Sequence, residues 1–128
     1  MRVLLDTHVL LWALWDPVRL PPAVQGILRD GRTDLVWSAV GTVELAQKAS
    51  MGRLRLSGTL DSFLEDRRTL MDLELLPVDH RHALRLATLP PIHGDPFDRL
   101  LVAQSQVEGI PLVTGDRRIR EYSVEVIW

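Results

Sequence analysis

Residues 4–12 read LLDTHVLLW, an apolar run interrupted by Asp6, Thr7 and His8. An ionised carboxylate is costly to bury unless a cation or several hydrogen bonds receive it. Asp6 is therefore expected either at an edge of the structure or beside a positive charge. The apolar residues 3–5 predict a strand that ends directly before Asp6, which places this carboxylate at the carboxyl end of the strand.

Short apolar segments alternate with segments of helical spacing along the chain. The predicted strands are residues 3–5, 35–37, 74–78, 112–114 and 124–128. The predicted helices are residues 9–15, 22–29, 40–51, 59–72, 80–89 and 96–108. This alternation predicts an α/β fold, a three-layer α/β/α sandwich with a mostly parallel central sheet of about five strands.

The last predicted strand differs from the others because its residues alternate in polarity. Val124, Val126 and Trp128 are expected on one face, with Glu125 and Ile127 on the other. This pattern is typical of a half-exposed edge strand.

Composition and length bound the class of protein. The 128 residues contain no repeat, linker or low-complexity tract, so residues 1–128 are predicted to form a single domain. The absence of cysteine excludes disulfides, zinc thiolates and cysteine nucleophiles. The apolar start is too short for a membrane span and lacks a signal-peptide cleavage pattern, so a cytoplasmic protein is expected.

Acidic residues recur where ligands of parallel sheets bind, beyond the carboxyl ends of the strands. Asp6 follows the first strand directly, and Asp116 follows the fourth after Thr114 and one glycine. Glu44 lies within the apolar helical segment GTVELAQKA, and Asp95 and Asp98 open the helix DPFDRLLVAQ.

Helix capping offers an alternative for most of these acids. Asp6 and Asp116 could each cap the segment that follows. Asp95 precedes a proline at the first helical position and is best explained as an N-cap, and Asp98 lies in the first turn, where the helix dipole favours an anion. Glu44 has no such explanation, because a carboxylate on the buried stripe of a helix needs a partner.

Acidic residues that only cap their own helices are not expected to cluster at one edge of a sheet. Two carboxylates at 4 Å repel each other by about 4 kcal/mol at an effective dielectric constant near 20, and a divalent cation removes that cost. Oxygen ligands without cysteine favour Mg²⁺ or Mn²⁺ over zinc. The chemistry expected of such a site is phosphodiester hydrolysis by metal-activated water.

At these residues the sequence resembles the PIN-domain ribonucleases, and among them the VapC-like toxins of bacterial toxin–antitoxin pairs. The resemblance covers nearly the whole chain, through LLDTHVLLW, VELAQKASMGRLRL, LPPIHGDPFDRLLVAQ, LVTGD and YSVEVIW. It implies a PIN-like fold in which Asp6, Glu44, Asp98 and Asp116 hold the catalytic metal, with Asp95 as a nearby fifth acid.

Two positions depart from the family pattern. Many close relatives have a tryptophan where this chain has Val43, so the packing around Glu44 is expected to differ. Relatives outside this branch often have asparagine in place of His8. His8 and His93 are each interpreted as more often structural than catalytic, and His80 and His82 are predicted to be solvated.

Further residues are candidates for roles around the acids. Candidates for orienting the carboxylates or water are Thr7, His8, Ser38, Asp95 and Thr114. Ser38 is also a plausible N-cap of the helix that carries Glu44. Candidates for contacts with RNA phosphates are Arg99, Arg117, Arg118 and Arg120. The formal net charge of −2 changes to +2 when four carboxylates are set aside as metal ligands.

The resemblance implies a metal-dependent endoribonuclease toxin that forms a homodimer and binds a cognate antitoxin. Trp12 and Trp15, spaced by three residues, fit either a core stripe or such an interface. A catalytically inactive module that binds RNA or protein is the alternative. A phosphatase of the haloacid-dehalogenase type is disfavoured, because it needs an acid two residues after Asp6, where this chain has His8.

Overall fold

The computed structural model describes residues 1–128, which form an α/β/α sandwich around a five-stranded, all-parallel sheet. The strands lie in the order β3-β2-β1-β4-β5. Their bounds are β1 Arg2–Leu5, β2 Asp34–Ser38, β3 Glu74–Leu76, β4 Leu112–Val113 and β5 Val126–Ile127. The predicted architecture is therefore confirmed, with the last three strands shorter than expected.

Six α-helices cover the sheet. They are α1 Thr7–Trp15, α2 Pro22–Arg29, α3 Ala39–Ser50, α4 Leu60–Met71, α5 His80–Leu86 and α6 Pro96–Glu108. Two short 3₁₀ helices, Pro17–Arg19 and Arg117–Glu121, complete the elements. None of the helices combines the length and apolar character needed to cross a membrane.

The sheet separates two apolar clusters, because successive strand residues point to opposite faces. In β1, Leu4 packs into a cluster with α6, whereas Val3 and Leu5 pack into a cluster with α1, α2 and α4. All three leucine and valine side chains are almost inaccessible to solvent. Burial on both faces explains why these strands lack polar alternation.

The order of the strands reverses direction between β1 and β4. The chain runs outward from β1 through β2 to β3 and then returns to add β4 and β5 on the other side. β1 and β4 are direct neighbours, with Leu5 opposite Val113. Their carboxyl ends form the point at which ligands bind in open parallel sheets, and Asp6 and Thr114 follow these two ends.

Trp128 lies on a different face from the one predicted. Val124 and Val126 pack with the α6 cluster as expected, but Trp128 packs with the opposite cluster. The reason is that β5 ends at Ile127, so strand alternation no longer fixes the next side chain. The Trp128 ring instead lies 5.6 Å from the ring of His8 and 5.9 Å from that of Trp12.

The prediction that His82 is solvated is wrong. Its side chain is completely buried, while His80 is exposed as expected. His82 Nδ1 accepts a hydrogen bond from the backbone N–H of Asp79, and the Asp79 carboxylate caps α5 in return. Its other nitrogen lies 3.1 Å from Glu108 Oε2 on α6. A partner distant in sequence thus determines the environment of His82.

Candidate active site at the sheet edge

Asp6 and Thr114 connect the ends of the two central strands. The Asp6 side chain accepts a hydrogen bond from the backbone N–H of Thr7 at 2.7 Å and one from Thr114 Oγ1 at 2.6 Å. Thr114 Oγ1 in turn accepts from the backbone N–H of Asp116 at 3.1 Å. One threonine hydroxyl therefore links the acids that follow β1 and β4. Asp6 caps α1 and also lies at the carboxyl end of β1. Its interpretation as a helix cap is therefore compatible with its interpretation as a site residue.

Glu44 reaches the same edge from α3. Thr7 Oγ1 donates to Glu44 Oε1 at 3.2 Å, and Thr7 is the immediate neighbour of Asp6. Lys48, one helical turn later, places its ammonium 3.1 Å from Glu44 Oε2. The Glu44 side chain is only 16% exposed. Glu44 therefore has the partner that its position required, and this partner is a lysine at the rim of the site.

Asp98 is the most strongly perturbed acid of the site. It is buried in the first turn of α6, and Asp95 caps this helix by accepting from the backbone N–H groups of Phe97 and Asp98. Burial, together with the negative charges of Asp6, Asp95 and Asp116, raises the pKa of Asp98 to about 8. The N-cap predicted at Asp95 is confirmed.

Asp116 lies close to Asp98 but has an opposite electrostatic balance. Burial opposes its ionisation, yet the hydrogen bonds from Arg118 outweigh this effect and lower the pKa of Asp116. The Arg118 side chain approaches the two carboxylate oxygens at 3.2 and 3.3 Å. Asp116 also caps the 3₁₀ helix that follows, through the backbone N–H of Arg118. Asp116 is thus the ionised member of the pair, and Asp98 is the member that retains a proton.

The geometry of these side chains suits a hard divalent cation. His93, Asp98 and Asp116 each offer one ligand atom within 4.8 Å of the others. The pKa of about 8 at Asp98, raised first by burial and then by the neighbouring acids, means that this carboxyl group does not ionise readily at neutral pH without a positive partner. A divalent cation would provide that positive partner, and the carboxylate oxygens of Asp98 and Asp116 are donors that Mg²⁺ and Mn²⁺ prefer. Asp6 and Glu44 lie at the same edge of the sheet but outside this group of three residues.

His8 supports the edge of the site. Its Nε2 accepts a hydrogen bond from the backbone N–H of Gly115 at 3.1 Å, and its Nδ1 lies 3.4 Å from Asp6 Oδ2. An N–H on Nδ1 is therefore the arrangement that suits both neighbours. The ring packs between Trp12 and Trp128, at centroid distances of 4.8 and 5.6 Å. A side chain at position 115 would collide with Trp128, since a Cβ there would lie 2.7 Å from its ring.

The remaining candidates divide between the site and other parts of the fold. Ser38 caps α3 as predicted, but its hydroxyl binds Gln104 on α6 rather than a carboxylate. The Arg99 guanidinium donates to the carbonyls of Pro90 and Leu89 and to the hydroxyl of Tyr122. Arg117 and Arg120 are exposed beside Asp116.

Sequence reasoning did not single out Tyr122. This residue is buried beneath the site, where its hydroxyl lies 2.7 Å from His93 Nδ1. No local pattern identifies it, because it lies 29 residues from His93 and follows the second 3₁₀ helix. The one signal in the sequence is that Tyr122 begins YSVEVIW, a segment that matches the family pattern.

Comparisons with known proteins agree with this geometry. The family model of the PIN domain matches residues 3–125. Ribonuclease VapC22 of Mycobacterium tuberculosis is 33% identical over 121 residues, which cover 94% of this chain and 91% of that protein.

Solved structures show the same fold. VapBC2 from Rickettsia felis, bound to a DNA fragment from its promoter, matches with a TM-score of 0.77 at 15% identity, covering 99% of this chain and 98% of that chain. DNA-bound VapBC from Salmonella typhimurium gives a TM-score of 0.68 at 18% identity, covering 99% and 97%. FitAcB from Neisseria gonorrhoeae gives 0.63 at 23% identity, covering 98% and 96%. With the family model spanning nearly its whole length and four acids at the carboxyl edge of its parallel sheet, this chain belongs to the PIN-domain family.

Proposed function

We propose that this protein is the toxin of a toxin–antitoxin pair and hydrolyses RNA phosphodiester bonds as a Mg²⁺- or Mn²⁺-dependent endoribonuclease. The burial of Asp98 among other carboxylates carries this proposal, because such a pocket favours a divalent cation at the edge of the sheet where ligands bind. The 33% identity with a ribonuclease supports the nuclease activity.

The roles of the residues follow from their positions. Asp6, Glu44, Asp98 and Asp116 would hold the cation, which when bound supplies the charge that activates water and stabilises the transition state. Thr114 fixes the orientation of the Asp6 carboxylate, and Thr7 fixes that of Glu44. These fixed carboxylates need no rearrangement during the reaction, which is what makes an electrostatic site effective.

Arginines at the rim provide the contacts for RNA. Arg118 lies beside Asp116 and is more than half exposed, so its guanidinium can reach a phosphate while it remains near the carboxylate. Arg117 and Arg120 flank it on the same 3₁₀ helix. Phosphate contacts of this kind position the substrate without reading its sequence.

The biological setting forms part of the same proposal. The similarity to VapBC and FitAcB structures supports a cognate antitoxin as partner. The homodimer and the cytoplasmic location are parts of the proposal that rest on the family resemblance alone. The half-exposed Trp15, which stacks on Phe63 with a centroid distance of 6.2 Å, is apolar surface that such a partner would cover.

The test of the activity compares cleavage of a labelled single-stranded RNA by purified protein in Mn²⁺, Mg²⁺ or EDTA. We expect cleavage with either metal, none in EDTA, and none with Asp6→Asn. Asp34→Asn is the matched control, because Asp34 is an exposed acid at the start of β2, and the candidate site lies at the other end of the strands. Undiminished cleavage by folded Asp6→Asn would refute the assignment of the site, and failure of the wild type on every RNA would support the inactive binding module.

Metal binding has a separate readout in thermal stability. A ligand that binds only the folded chain stabilises it by RT ln(1 + [L]/Kd), about 2.7 kcal/mol at one hundred times Kd. We expect Mn²⁺ to raise Tm by roughly 10 °C at that concentration and EDTA to reverse the change. An unchanged Tm under saturating Mn²⁺ would contradict the metal site.

A further inference from the structure

A chain of three hydrogen bonds ends on the buried carboxylate of Asp98. Arg99 Nη1 donates to Tyr122 Oη at 3.2 Å, and Tyr122 Oη lies 2.7 Å from His93 Nδ1. His93 Nε2 lies 3.3 Å from Asp98 Oδ2. The His93 side chain is 4% exposed, so its two nitrogens depend on these partners rather than on solvent.

The chemistry of the four groups fixes the direction of the chain. Arginine is a donor only, so the Tyr122 oxygen accepts from Arg99. Asp98 retains a proton, but this proton is engaged in a hydrogen bond with Asp116. The Asp98 oxygen that faces His93 is therefore an acceptor, so His93 must carry its proton on Nε2 to donate to it. Nδ1 is then an acceptor, and the single proton of the Tyr122 hydroxyl satisfies it. Every donor therefore points toward Asp98.

The segment around this chain holds it in place. Arg99 follows Asp98 on α6, and its guanidinium also binds the carbonyl oxygens of Pro90 and Leu89 at 2.8 and 3.4 Å. Those two residues begin the loop that carries His93. The chain thus forms a closed ring that starts and ends on adjacent residues of one helix, which restricts the movement of the His93 ring.

We propose that His93, fixed by Tyr122 and Arg99, is a positioning residue that holds Asp98 through an Nε2–H donor and so prepares this carboxylate for the metal. The inference rests on the proposed function, in which Asp98 is a metal ligand. It goes beyond that function by assigning a positioning role to His93, Tyr122 and Arg99. Without a fixed donor, the repulsion from neighbouring acids would turn the Asp98 carboxylate away from the cluster. Partners behind the ligands of a metal site typically change its affinity 10- to 100-fold.

The position of His93 also raises an alternative, direct ligation of the cation. Its nitrogen lies close enough to Asp98 and Asp116 to join them around one ion. Ligation needs a lone pair on Nε2 and therefore a proton on Nδ1, the reverse of the arrangement derived from Arg99 and Tyr122. The tautomer of His93 distinguishes the two roles.

The first experiment determines that tautomer by ¹⁵N NMR of the histidine side chains in the metal-free full chain, without RNA. We expect the signals of a protonated Nε2 and an unprotonated Nδ1 at His93. Tyr122→Phe, which removes only the hydroxyl, should shift the Nδ1 signal, and His80→Gln should leave it unchanged. A protonated Nδ1 in the wild type would overturn the inference.

The second experiment measures Mn²⁺ affinity by calorimetry for matched variants. We expect about a tenfold loss for His93→Phe, which keeps a ring but has no donor, and a smaller loss for His93→Gln, whose amide can still donate. Tyr122→Phe should lie between them, and the exposed control His80→Gln should bind like the wild type. Equal affinity of His93→Phe and wild type would refute the positioning role.

Electron spin-echo spectroscopy of the Mn²⁺ complex completes the test. Nitrogen coupling that disappears in His93→Phe would identify His93 as a direct ligand and overturn the inference, whereas absence of such coupling supports it. Failure of the proposed function has a different signature. If wild type bound no Mn²⁺, the metal site would fail while the NMR measurement still reported the hydrogen-bond direction.

Discussion

Two buried histidines face acids at opposite ends of α6, and their surroundings differ in charge. His93 lies 3.3 Å from Asp98 in the first turn, and His82 lies 3.1 Å from Glu108 in the last. Glu108 also pairs with Arg81 at 3.2 Å, so its negative charge is balanced. Asp98 instead has three acids among the groups that raise its pKa.

Under the proposed function, this difference in charge separates the structural pair at His82 from the functional pair at His93. A buried histidine lies beside a carboxylate at both ends of α6, so the types of residue present do not distinguish the two pairs. We propose that the unbalanced negative charge at Asp98 marks the end of α6 that binds a cation. Glu44 is an intermediate case, since it belongs to the predicted site but has Lys48 as its own partner.

The largest effect is expected from replacing the unbalanced acid. Asp98→Asn should reduce RNA cleavage about 100- to 1,000-fold, because it removes charge from the site where the transition state is stabilised. Glu108→Gln is the matched variant at the other end of α6 and should retain cleavage close to wild type. Initial rates at saturating Mn²⁺ measure both. Equal losses of cleavage activity in folded Asp98→Asn and Glu108→Gln would show that charge balance does not distinguish the two ends of α6.

The structural histidine should matter most for stability. His82→Ala should lower the free energy of unfolding by about 3 kcal/mol, because it leaves a cavity and removes the partner of buried groups on α5 and α6. Urea unfolding monitored by circular dichroism measures this change. The exposed neighbour His80→Ala is the control and should change stability by less than about 0.5 kcal/mol. A tolerated His82→Ala would contradict the structural role.

The pH dependence of stability follows from the pKa of Asp98. Its folded value of about 8 exceeds the unfolded value near 4, so the folded chain binds the additional proton between these pH values. The stability of metal-free protein should therefore fall as pH rises through this window, by about 3 to 4 kcal/mol between pH 5 and pH 8. Urea unfolding in EDTA measures it. Asp98→Asn should flatten the profile, and an equally steep fall in that variant would assign the effect to another group.

The smallest effect is expected at Glu44, whose carboxylate is paired with Lys48. Lys48→Gln removes the cation that competes for Glu44, so Mn²⁺ should bind about two- to threefold more tightly. Stability should fall by only about 0.5 to 1 kcal/mol, because Lys48 is 41% exposed, although the Glu44 carboxylate that it pairs with is largely buried. Calorimetry and urea unfolding measure the two quantities. Weaker Mn²⁺ binding would show that Lys48 orients Glu44 for the metal instead of competing for it.

The fold, and the positions of the acids at the edge of the sheet, could be predicted from the sequence because local patterns encode both. Apolar runs without alternation predicted buried parallel strands, and the parallel sheet placed the residues after its strands at one edge. The N-cap at Asp95 and the capping of α3 by Ser38 followed from short-range preferences. Asp6 stood out for the same kind of reason, since a charge directly after an apolar strand requires an explanation.

The tertiary structure decided what depends on contacts between distant segments. His82 has the sequence surroundings of a solvated helix start, and only Glu108, 26 residues later, makes it a buried residue. Tyr122 became part of the site through contact with His93, and Arg99 turned toward Tyr122 and the carbonyls of residues 89 and 90. Periodicity and capping act over a few residues and therefore can be read along the chain. Charge balance and hydrogen-bond direction depend on which groups the fold brings together, and only the folded chain contains that information.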